Sequence, residues 1–131
     1  MQNESSSVRP RVQPISVWMK GGKLVACPDT ADINVGDRVL WLFRPDLDAD
    51  YMQIEFQTKN GRRGPFPQKA NDPDNPEQGV YRKTGKGDVE TAEATPIEGS
   101  LECWKYTASL RNDRGELVQL DPIIIVRATQ S

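Results

Sequence analysis

The chain has 131 residues, with 17 Lys and Arg against 19 Asp and Glu, and it contains no histidine. That length makes one domain around one hydrophobic core. The near balance of charge argues against nucleic acid as a partner. Without imidazole, Ser-His-Asp catalysis, Cys-His catalysis and His-ligated zinc or copper are excluded.

Residues 1–11 are polar and carry no apolar h-region, so they read as a flexible tail rather than a secretory signal. The longest apolar run, Ile123 to Val126, is far short of the about 20 residues a membrane helix needs. The expectation is a cytoplasmic protein without membrane contact. Cys27 and Cys103, the two cysteines, are then expected as small buried hydrophobes rather than a disulfide.

Strand patterns dominate from residue 12 onward. Ile15, Val17 and Met19 alternate with Ser16, Trp18 and Lys20. Gly21 and Gly22 then predict a turn into a second strand over 24–27. Ile33, Asn34 and Val35 lead through Gly36-Asp37 into Val39-Leu40-Trp41-Leu42-Phe43. This run is apolar on both faces, as in a central sandwich strand. Met52, Ile54 and Phe56 alternate with Gln53 and Glu55.

Residues 57–100 hold four of the chain's Leu, Ile, Val and Phe residues, against 14 in 12–56 and nine in 101–131. Asn60-Gly61, Gly64-Pro65 and the prolines at 73 and 76 are breaker signals. The segment reads as a polar, loop-rich insertion, and residues 59–86 within it as the longest stretch that the core does not need and the expected contact surface. Residues 88–95 fit either a strand or a short helical turn.

Trp104, Tyr106, Ala108 and Leu110 then alternate with Lys105, Thr107 and Ser109, which predicts a half-buried strand. Asn112 to Gly115 predicts a turn into a strand over 116–120. Asp121-Pro122 breaks it, and 123–126 forms the closing strand. Short strands separated by turns predict one all-β Greek-key β-sandwich of seven or eight strands, spanning 12–131.

Two segments resemble a known family. Residues 33–42 are similar to the strand, Gly-Asp turn and apolar strand of the cupredoxin-like β-sandwich. Residues 98–106, with the closing strand, resemble that family's Gly-led aromatic strand and last strand. The resemblance implies the scaffold. It does not carry over copper, because the blue-copper site needs two histidines with its cysteine. Here Cys103 also precedes Trp104 and Tyr106, and the later positions are Thr107, Ala108 and Ser109. No cofactor is expected.

Several clusters are candidates for chemistry. Asp46, Asp48 and Asp50 have the alternate spacing of a calcium loop. Tyr51 and Gln57, however, stand where an EF-hand needs its Gly and its bidentate Glu, which favours a solvated turn. Asp72, Asp74 and Glu77 form a second acidic loop. The run from Lys83 to Asp88 looks phosphate-friendly but lacks the P-loop spacing. Arg62, Arg63, Phe66, Tyr81, Arg82 and Lys83 combine charge with aromatics on a stretch read as solvated, and they are the expected contact surface for an acidic protein partner. Trp41 and Trp104 are expected in the core, and Trp18 partly exposed. The reading is a non-enzymatic, copper-free binding module that contacts a protein partner through loops. The alternatives are a subunit that self-associates through an edge strand such as the closing one, and a metal-assisted enzyme using the acidic loops.

Overall fold

The computed structural model of the chain describes residues 11–44, 51–83, 87–111 and 115–128. Twelve strands and no helix occur among them. In chain order they are β1 (Val12–Lys20), β2 (Lys23–Cys27), β3 (Thr30–Asn34), β4 (Arg38–Phe43), β5 (Tyr51–Phe56) and β6 (Thr58–Lys59). There follow β7 (Arg62–Arg63), β8 (Val80–Lys83), β9 (Gly87–Glu90), β10 (Leu101–Arg111), β11 (Leu117–Leu120) and β12 (Ile123–Arg127).

One sheet has the order β2-β1-β4-β9, and the other β3-β12-β10-β5-β8, with β11 also on β10. The β1–β4 and β12–β3 pairings are parallel and the rest antiparallel. β6 and β7 form a separate two-stranded ribbon.

The period-2 alternation explains which faces turn inward. Ile15, Val17, Val39 and Trp41 from the first sheet meet Met52, Ile54, Phe56, Trp104, Tyr106, Ala108 and Leu110 from the second in one core. This is an all-β sandwich. At its centre Trp41 of β4 contacts Tyr81, Tyr106 and Phe56 of the opposite sheet, with ring centroids 5.2, 5.6 and 6.2 Å apart. The Trp41 indole N–H donates to the Tyr106 hydroxyl at 3.3 Å, which satisfies a donor that would otherwise be buried unpaired. The Gly36-Asp37 turn is held by the buried Asp37 carboxylate. It accepts the Asn34 amide at 2.9 Å and the Arg11 amide at 3.0 Å, so the start of β1 is tied to the start of β4.

Phe66, Val80 and Tyr81, all buried, correct the expectation that the core does not need residues 59–86. β8 pairs with β5 and β9 with β4, so the segment over 57–100 belongs to both sheets. It also delivers Phe66, Val80, Tyr81, Val89 and Ala94 to the interior. Its short strands raise the count above seven or eight. The polar turns are themselves built. Asn75, 0% exposed, accepts the Lys69 amide at 2.7 Å and donates to the Glu77 and Val80 carbonyls, each at 2.8 Å. A fully satisfied buried amide can fix a loop that has few apolar side chains.

The closing strand β12 lies between β10 and β3, so it offers no free edge for self-association. Both cysteines face outward on their strands and are exposed thiols, contrary to the burial expected of them. No helix among the described residues is long and apolar enough to cross a membrane.

Candidate functional site

The expected contact residues separate in the structure. Phe66 and Tyr81 are each 1% exposed and supply no contact area to a partner. Burial, with the charge of Asp72 secondary, pushes the Tyr81 hydroxyl pKa well above the usual phenol range. Burial likewise pushes Tyr106 up to about 12, despite the Trp41 hydrogen bond that favours ionisation.

Arg63 is an internal staple. Its guanidinium binds Glu55 and Glu77 and reaches the Phe56 carbonyl. Arg82 donates to Gln53 at 2.9 Å, and Lys83 lies 3.4 Å from Asp74. Asp72 faces Lys69 at 3.5 Å. The calcium candidates Asp46, Asp48 and Asp50 lie outside the described residues, as do residues 84–86 of the phosphate-friendly run. Among the described residues, no three His, Cys, Asp or Glu side chains are grouped to hold a metal ion.

Arg62 alone of the expected set leads to a surface feature. Asn60 and Gly61, with φ of 54° and 76°, form the two-residue turn between β6 and β7. Positive φ at both positions matches the right-handed twist of a tight hairpin, and Asn-Gly is its preferred pair. The turn places Lys59 and Arg62 side by side in register. Both then reach Trp104 on β10. The Lys59 ammonium is 4.8 Å and the Arg62 guanidinium 5.5 Å from the ring centroid, within cation–π range. The Trp104 indole N–H donates to Glu102 at 3.0 Å, and Arg62 also donates to the Thr95 hydroxyl. Trp104 is 2% exposed, so it is a floor beneath two cations rather than an open platform.

Two clefts flank this corner. One, of about 200 Å³, is lined by Gln57, Thr58, Lys59, Cys103, Lys105 and Ile123 around Trp104. Its ionised groups are the ammoniums of Lys59 and Lys105. The other, of about 190 Å³, has mixed charge, with Arg62, Glu98 and Glu102. Both are smaller than the roughly 300–1,000 Å³ usual for small-molecule sites. Beside the first cleft, Leu101 (42% exposed), Cys103, Ile123 and Ile125 share the outer face of the β10–β12 pair.

Lys59 lies at the start of the stretch that the sequence singles out for contact, whereas Lys105 and the outward Cys103 lie outside it. The Asn60-Gly61 turn was legible. Its position against β10, more than 40 residues later, was not. Compared with protein-family models, with curated proteins and with solved structures, the chain matches nothing.

Proposed function

We propose that the chain is a non-enzymatic protein-interaction module. It works on a cupredoxin-like, Greek-key scaffold that binds no copper, and it captures an acidic segment of a partner at the corner formed by Lys59, Arg62, Trp104 and Lys105. One observation carries this reading: two exposed ammoniums line a small cleft beside half-exposed apolar strand residues, on rigid elements. Cations steer an acidic segment, and the apolar neighbours supply area for contact. The contact surface is thus a strand and a hairpin rather than the long loops expected from the sequence.

The test uses a fluorescein-labelled peptide of alternating Glu and Val, followed by anisotropy. Lys59→Glu combined with Lys105→Glu should weaken binding by about tenfold or more, and salt should weaken the wild type in the same direction. Lys20→Glu with Lys23→Glu, on the exposed β1–β2 turn, should bind like the wild type. Equal binding by all three proteins would reject the reading.

A second reading, self-association, has its own support. The outer face of the β2-β1-β4 sheet aligns Trp18 with Val25, Pro14 with Leu40, and Ser16 with Leu42, and none of these residues is buried. An apolar sheet face of this kind marks an interaction surface. A monomer mass by light scattering would reject this second reading.

A further inference from the structure

β10 is supported unevenly along its length. Tyr106–Arg111 pairs with β5 on one edge, while β11 pairs with residues 108–111 on the other. Leu101–Lys105 pairs with β12 alone. The β5–β10 ladder ends at Phe56 and Tyr106, and one more amide, from Gln57, reaches the Lys105 carbonyl at 3.3 Å. Beyond it the chain leaves the sheet to make the β6–β7 hairpin.

The next carbonyl on that edge belongs to Cys103. It accepts the Lys59 ammonium at 2.8 Å, where a neighbouring strand would have supplied an amide. In a strand, alternate residues aim their backbone groups at the same edge. Leu101 and Cys103 therefore present theirs toward this gap, and the cleft of about 200 Å³ lies beside it.

We propose that this edge of β10 binds its ligand by strand addition. The occupant is an extended segment of a partner protein with alternating acidic and apolar side chains. The inference rests on the acidic-capture reading above and specifies its geometry. The backbone of the segment pairs with Leu101 and Cys103. Lys59 leaves the Cys103 carbonyl and faces the acidic side chains, while Arg62 stays paired with Glu102 and Thr95. The apolar side chains lie along Leu101 and Cys103 on the outer face. Main-chain bonds give such a complex its affinity, and alternate side chains give it specificity. An ammonium on a strand edge also blocks pairing with the wrong chain, because a positive charge must be displaced first. Charge selects the occupant: an acidic segment replaces the lost contact of Lys59, whereas a basic one does not.

Amide hydrogen exchange, with and without a saturating amount of the Glu-Val peptide, tests the geometry. Strand addition slows the Leu101 and Cys103 amides by about tenfold or more. It leaves those of Glu102 and Trp104, which face β12, at their existing rates. If the peptide binds by anisotropy but the Cys103 amide exchanges as before, strand addition is overturned and acidic capture stands. If the peptide does not bind, both fall.

Discussion

Trp41→Ala is expected to destabilise the protein by about 3–5 kcal/mol, the usual cost of emptying a large aromatic site in a packed core. Trp41 is fully buried and belongs to β4, which has a strand on either side. Its ring meets three aromatic rings of the facing sheet, so the cavity would open where the two layers are joined. Alanine also removes the indole N–H donated to the buried Tyr106 hydroxyl. An acceptor left unsatisfied in the interior adds to the cost of the void. Equilibrium urea unfolding reads the difference. A loss under about 1 kcal/mol would mean that the sheets do not depend on this contact.

Gly79→Ala is the second large effect, and it acts through the backbone. Gly79 has φ of 78°, and a Cβ there would lie 2.3 Å from the Arg63 carbonyl oxygen and 2.6 Å from Arg63 Cγ. The Arg63 backbone cannot step aside freely, because β7 is paired with β6 and the Arg63 side chain is held by Glu55 and Glu77. The Gly79 carbonyl also accepts the Phe56 amide at 2.9 Å. A loss of on the order of 3 kcal/mol is expected, from a strained φ combined with a backbone clash. Gly61→Ala is the control. Its φ is 76° but nothing lies within 4 Å of the added methyl, so only about 1–2 kcal/mol is expected. Equal losses at the two sites, by thermal and urea unfolding, would mean that the close approach to Arg63 carries no cost.

The legible part of this fold is the part written as alternation. Met52, Ile54 and Phe56 turn inward, as do Trp104, Tyr106, Ala108 and Leu110, because each strand has one side against the core. The Gly21-Gly22 turn between β1 and β2 is also as its sequence predicts. The segment over 57–100 was not legible, because it enters the core one residue at a time. Phe66, Tyr81 and Val89 sit between polar turns with no sustained period, and buried Asn75 does work that a pattern of apolar residues cannot signal.

Partners distant in sequence hid the remainder. Arg62 and Arg63 read as two equivalent surface charges, yet one lies over Trp104 and the other ties Glu55 to Glu77. Neighbours on a strand point to opposite faces, so adjacent arginines acquire unrelated roles. The parallel β12–β3 pairing removed the closing strand from the sheet edge. Local sequence gives no sign of such a non-local pairing. The half-paired stretch of β10 is hidden for the same reason: its alternation is identical whether one edge or both have a neighbour.

Two-dimensional amide spectra of the protein, titrated with the Glu-Val peptide, read acidic capture at the β10 edge residue by residue. Saturable shifts are expected in Gln57, Thr58 and Lys59 and from Leu101 to Lys105, with Trp18, Val25, Leu40 and Leu42 unmoved. Shifts confined to those last four residues, or no saturable shift at all, would contradict it.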